Sequence, residues 1–241
     1  MVTIDSNTVM DDTEHGFYRK PKREQRQIKI TIAFLALAIN LILGALSFWM
    51  GLYPLPLFFI AITLSVLAPF YDVPSMKASG RLIYYSPLLV AEPEKDGVIK
   101  LHGGTLFDYV FVIDRRLNGK QRTNQVLIGY IDGILNLIEN YQGRDLKSIR
   151  VRGTSYILNE RTANRVGLRK VENSFIQSVI LIYNYANLTI AYSISRAGLN
   201  FPRMREIRTF EATLADLQKN SSNLRSLRDR LAGSLCRYSQ P

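Results

Sequence analysis

The residues best suited to chemistry lie in one short run, Arg150-Val151-Arg152-Gly153-Thr154-Ser155. Arg150 and Arg152 supply guanidinium forks, Thr154 and Ser155 supply hydroxyls, and together they form a candidate phosphate or anion site. The closing Gly-Lys-[Ser/Thr] of a P-loop is missing, so this is not a nucleotide fingerprint. His102-Gly103-Gly104 places an imidazole beside two glycines. An oxyanion loop of that composition needs a partner elbow of the form G-x-S-x-G, which the sequence lacks. The triplet is therefore expected to be a hairpin turn. His15 and His102 are the only histidines and Cys236 the only cysteine. No pair has metal-ligand spacing, so neither a metal nor a cofactor is expected. Asp132 and Glu139, seven apart, share one face of a helix, and that face is expected to be solvated. No complete catalytic set exists, and whether the chain is an enzyme stays open.

The elements that must position these residues begin with a 42-residue run, Ile30–Tyr71, without one charged side chain. About 20 apolar residues cross a bilayer core as helix, so the run fits two spans, 30–50 and 54–70, around the turn Gly51–Pro56. Pro69 is expected to mark the end of the second span. Asn40 is the strongly polar residue in mid-span. It can hydrogen-bond across to the second span or to another copy, and a weak packing contact is the simpler expectation. Neither span holds an ionisable group, which argues against a proton or ion path within one chain.

Charge gives the hairpin a direction. Residues 1–29 form a polar head with six basic residues (Arg19, Lys20, Lys22, Arg23, Arg26 and Lys29) against five acidic ones, and all six crowd against the first span. Lys77 and Arg81 follow the second span, while the turn is uncharged. Positive flanks stay inside, so both termini are expected to be cytoplasmic, in a bacterial inner (cytoplasmic) membrane. The head lacks a signal-peptide profile, so the first span is expected to be a retained anchor. The single cysteine fits a reducing compartment.

Residues 72–241 carry 25 basic and 15 acidic residues of the chain's net +11. The expected fold is a two-span helical hairpin followed by an α/β (α+β) cytoplasmic domain with a mixed or antiparallel sheet and a long C-terminal amphipathic helix. The domain is placed at 72–204 and the C-terminal helix at 205–241. Strands are expected in Leu82–Ala91, broken by Pro87, and over Val98–Leu101. Thr105–Ile113 alternates with period two and is read as another strand. Asn124–Tyr141 has helical periodicity ended by Gly143. A strand from Ser148 follows, then a short helix 160–166 capped by Asn159, then a short strand at Leu168–Val171. Asn173–Ser195 is a second uncharged stretch. Its asparagines make it too polar for a third span, so it is read as buried core. Ser174–Tyr185 looks helical, and for Leu188–Ser195 a strand is favoured over a continuous helix. Leu217, Leu224 and Leu231 recur every seven residues. They are expected to pack on their own domain, with a coiled coil between copies as the alternative.

These features exclude a zinc site and a transporter. They favour a membrane-anchored interaction or scaffold module whose basic surface meets anionic headgroups through the head and Arg203, Arg205 and Arg208, and which binds a protein partner. One alternative is a membrane-anchored enzyme acting on a phosphorylated or acyl-carrying substrate. A second is membrane tethering of nucleic acid, disfavoured because no nucleic-acid motif is present.

Overall fold

The structure is a computed structural model that describes residues 15–155, 158, 160–172, 175–204 and 207–236. Asn159, Ser174 and Arg205 lie outside the described residues. Two long helices open the chain, α1 (Lys22–Trp49) and α2 (Leu55–Ala78). Both are long and apolar enough to cross a membrane, and only 6% and 17% of their most apolar stretches are buried inside the protein. The core helix of a soluble protein would be mostly buried. Gly51 takes a positive φ of 72° at the turn, a conformation cheap only without a Cβ. Asn40 donates from Nδ2 to Thr63 Oγ1 at 2.9 Å and to Ala36 O at 2.8 Å. It therefore makes a bond across the hairpin where a packing contact was the simpler expectation.

Pro69 does not end α2, which continues through Pro69 and Pro74 to Ala78. The reason lies in packing. Phe70 and Val73 are buried in a core shared with the following domain, and that burial holds the helix past the lost backbone donors.

The domain is built on a six-stranded mixed sheet, β1 (Ile83–Ser86), β2 (Leu89–Ala91), β3 (Val98–Gly103), β4 (Arg150–Ser155), β5 (Arg169–Val171) and β6 (Arg208–Thr213), in the order β1-β2-β3-β4-β6-β5. Among the described strands, only β3 and β4 run parallel. The crossover between them contains α3 (Leu106–Val112) and α4 (Gly119–Asn140). The short α5 (Glu160–Arg165) lies between β4 and β5, while α6 (Phe175–Tyr183) and α7 (Tyr185–Arg196) lie between β5 and β6. After β6 come α8 (Leu214–Lys219) and α9 (Ser221–Cys236).

One face of the sheet, carrying Ile99, Leu101, Val151, Phe210 and Ala212, is closed by apolar side chains of α4, α5, α8 and α9. A second core lies at the β1–β2 edge. There Tyr84, Leu88 and Val90 meet Phe17, Phe70, α3 and α7.

Four expectations need correction. Thr105–Ile113 is largely the helix α3, not a strand. Thr105 and Asp108 form a capping box at its start, and Leu106, Phe107 and Tyr109 are all buried. With apolar residues on every side, period-two alternation carried no information about the buried face. Leu188–Ser195 is also helical, inside α7. Its buried positions Asn187, Ala191, Ile194 and Ser195 follow a helical stripe whose first member is polar, so a hydrophobicity pattern does not reveal it. His102 and Gly103 belong to β3, and the chain passes through Gly104 into α3 instead of closing a hairpin. Finally, the 205–241 region is not one helix. Its β6 is an inner strand between β4 and β5, because Thr209–Ala212 alternates outward and core-facing residues in register with β4.

Candidate functional site

Strand register decides which candidate residues meet. Lys100 pairs with Arg152 and His102 with Thr154 across β3 and β4. Arg152 pairs with Glu211 and Thr154 with Thr209 across β4 and β6, and Arg169 of β5 lies beyond Glu211. Because side chains alternate faces along a strand, Lys100, His102, Arg150, Arg152, Thr154 and Arg169 share the face turned away from the main apolar core. Lys100, His102, Arg150, Arg152 and Arg169 are exposed. The sheet thus presents a polar, mainly basic surface across four strands from four separate stretches of sequence.

Within this surface the charges are partly paired. Arg150 lies 3.5 Å from Glu211, and Arg152 donates to the Glu172 carbonyl at 3.4 Å. The Thr154 and Thr209 hydroxyls bond at 2.8 Å. Glu92 bridges Lys100 at 3.3 Å and His102 at 3.0 Å. Partial burial pushes the Glu92 carboxyl up, but hydrogen bonds from His102 and Lys100 outweigh it and hold the group below its usual value. Ser155 stands on the opposite face, where its hydroxyl accepts from the Leu158 N–H at 3.1 Å. Of the four residues proposed for anion binding, Arg150, Arg152 and Thr154 come together and Ser155 does not. Lys100 and Arg169 join them, which no local motif could have revealed.

The predicted headgroup-facing residues separate in the same way. Arg19, Lys22, Arg23 and Arg26 are exposed at the base of α1. Lys20 pairs with Glu24 at 3.2 Å. Lys29 sits over the Phe17 and Tyr71 rings at 5.9 and 5.8 Å, a cation–π position. Arg203 is exposed, whereas Arg208 is engaged by Glu160 of α5.

The leucine seam turns inward, whereas the acidic pair stays at the surface. Leu217 and Leu224 are fully buried, and Leu231 packs against the same core. Leu217 lies on α8 and Leu224 on α9, so their seven-residue spacing marks the side facing α4 within one chain. Asp132 and Glu139 do not face solvent alone. Arg228 meets Asp132 at 3.0 Å and Arg225 meets Glu139 at 3.4 Å.

No protein-family model, curated protein or solved structure matches this chain. The functional reading therefore rests on geometry.

One cluster escaped the sequence reading altogether. Asp108 of α3 is fully buried and accepts four hydrogen bonds. Its Oδ1 receives the Tyr84 hydroxyl at 2.6 Å and faces His15 Nε2 at 3.2 Å. Its Oδ2 receives the Thr105 N–H at 2.6 Å and the Thr105 hydroxyl at 2.8 Å. The Phe17 N–H donates to His15 Nδ1 at 3.3 Å, so the ring hydrogen belongs on Nε2, facing Asp108. Burial first, and then the Asp108 carboxylate, push the Tyr84 phenol far above its ordinary value. Phe107 stacks on His15 with ring centroids 5.2 Å apart, and Lys77 lies over Tyr18 at 3.9 Å.

Asp, His and Tyr in contact resemble a proton-transfer set, but His15 and Asp108 have no exposed surface through which a substrate could enter. The cluster instead joins the segment before α1, the end of α2 and the domain. A Thr-x-x-Asp capping box at 105–108 was its one sequence signal.

Proposed function

We propose that this protein is a membrane-anchored interaction module, with α1 and α2 as a two-span anchor and the basic domain held against the bilayer surface. One observation carries this reading. Helix α2 runs without a break from its apolar, exposed part into the domain core, where Phe70 and Val73 are buried. A domain joined through a continuous helix and a buried polar network stays at the bilayer instead of swinging on a linker. The exposed Arg19, Lys22, Arg23 and Arg26 at the base of α1 suit the cytoplasmic side of a bacterial inner membrane and its anionic headgroups. The basic sheet face is then the surface offered to an acidic partner. Cell fractionation with an alkaline wash tests the anchor. The full chain should stay with the membrane pellet, and its release into the soluble fraction would sink the reading.

A second reading is favoured by the convergence of Lys100, Arg150, Arg152 and Arg169 on one face. Such a surface suits a phosphorylated ligand or substrate. Thermal-shift measurements on the full chain in detergent, with inorganic phosphate, nucleotides and coenzyme A esters, address it. Stabilisation that disappears in the Arg150→Ala/Arg152→Ala double variant supports it, and flat responses throughout remove it.

A further inference from the structure

Of the second uncharged stretch, Asn173–Ser195, Ala191 and Ile194 of α7 reach the domain core, whereas apolar side chains of α6 stay exposed. On α6, Val179 and Ile180 are about half exposed, and Ile182 and Tyr183 are 68% and 72% exposed. In the loop after α7, Leu199 and Phe201 are likewise exposed, at 79% and 62%. So large an apolar surface on one short segment marks an interaction site.

Its place in the fold says what covers it. Asn187, near the start of α7, is buried and donates from Nδ2 to the Ser65 carbonyl of α2 at 2.9 Å. Ser65 lies six residues before Tyr71, whose hydroxyl meets the Lys29 carbonyl at the base of the hairpin. At about 1.5 Å per residue, Ser65 sits roughly 9 Å further into the apolar hairpin than that base. From Asn187, α7 runs back to the domain, where Arg122 and Thr123 of α4 donate to the Ile194 and Ser195 carbonyls. The start of α7 is therefore its deep end, and α6 is attached there. Loop 198–202 folds back along α7. Ser193 Oγ bonds both the N–H and the carbonyl of Asn200, and the Tyr185 hydroxyl donates to the Pro202 carbonyl at 3.3 Å. This brings Phe201 to the same deep end.

The stretch does not cross the bilayer. It connects β5 to β6, which are paired neighbours in one sheet, so it enters and leaves on one side. Nine residues of α6 and twelve of α7 give about 14 and 18 Å of helix, each short of the roughly 30 Å apolar core. Both pieces being helical satisfies most of their backbone groups internally, as lipid requires. Arg196 and Arg203 provide charges where the segment and its return loop leave it.

Resting on the anchor reading above, we propose that α6, the first half of α7 and loop 198–202 form a third membrane-embedded element. It dips into one leaflet beside α2 and takes lipid acyl chains as its partner.

Site-directed nitroxide labelling of the full chain tests this in mixed phosphatidylcholine and phosphatidylglycerol vesicles. On a Cys236→Ser background, single cysteines go in at Ile182→Cys and Phe201→Cys, with Leu41→Cys as the hairpin reference and Ser226→Cys as the domain-surface reference. Accessibility to oxygen is compared with accessibility to a water-soluble nickel chelate. The expected result is a preference for oxygen at 41, 182 and 201, with the reverse at 226. If 182 and 201 follow 226 while 41 keeps its preference for oxygen, the embedded element is overturned and the anchor stands. If 41 itself prefers the nickel chelate, the anchor reading falls and this proposal falls with it.

Discussion

The two cores of the domain are built on different physics. The larger, beneath α4, α5, α8 and α9, is an apolar assembly of Leu, Ile, Val and aromatic side chains. The smaller, which joins the hairpin to the domain, surrounds a single buried carboxylate with donors from three separate segments. Apolar contacts are non-directional, and any well-filled arrangement of the right volume approaches the same energy. A carboxylate with four donors fixes one arrangement, because a shifted partner leaves a buried polar group unmatched. Where the helical hairpin meets the domain, directional bonds set the orientation and apolar burial supplies the adhesion.

The largest expected effect breaks the polar junction. Asp108→Ala strands the Tyr84 hydroxyl, two Thr105 donors and His15, and should cost roughly 3–5 kcal/mol. Thermal unfolding of the full chain should register this, together with faster tryptic cleavage at Arg19 as the His15–Tyr18 segment comes loose. Leu217→Ala, in the apolar core, should cost about 3 kcal/mol, within the range for truncating a buried leucine. It should lower the unfolding temperature while leaving cleavage at Arg19 unchanged below the transition. Equal exposure of Arg19 in both variants would mean that the two cores are not separable.

Tyr84→Phe should cost about 1–2 kcal/mol at neutral pH by removing one donor. It should also change the alkaline limb. The folded phenol titrates above its unfolded value of about 10, so its contribution is complete below pH 10. As pH rises further, the unfolded chain releases a proton that the folded chain retains, and stability falls. Burial raises Tyr85, Tyr130 and Tyr141 as well, so the variant should make the alkaline loss shallower without abolishing it. An unchanged alkaline slope would contradict the assignment. The smallest effect is expected inside the hairpin. Asn40→Ala should cost only about 0.6 kcal/mol, the average for a hydrogen bond between membrane helices. A loss as large as that of Asp108→Ala, measured by unfolding in detergent, would move orientation control from the junction to the hairpin itself.

The hairpin was legible in the sequence because forty-two uncharged residues around a Gly-Pro turn leave few alternatives. The start of α4 was less so. Its periodicity places the start at Asn124, yet the helix begins at Gly119, where Asn118 caps it by accepting from the Gln121 N–H at 3.0 Å. Helix α3 was misread because its side chains are buried on all sides, which erases any periodic signal. Strand β6 was hidden beneath the heptad-like leucines that follow it. Arg150, Arg152 and Thr154 were visible as one cluster because they alternate on one strand. Lys100 and Arg169 were not, because each lies many residues away and reaches the same face only through strand pairing.

By itself the sequence determined the helical hairpin, the excess of positive charge in the region after it, and the want of metal-ligand spacing. Each follows from residue type counted along the chain. Tertiary structure alone decided that Asp108 meets His15 and Tyr84, that the leucine seam faces α4, and that α6 of an uncharged stretch turns apolar side chains outward. Those outcomes depend on which distant segments pair and on which face each presents, and neither is encoded in local spacing.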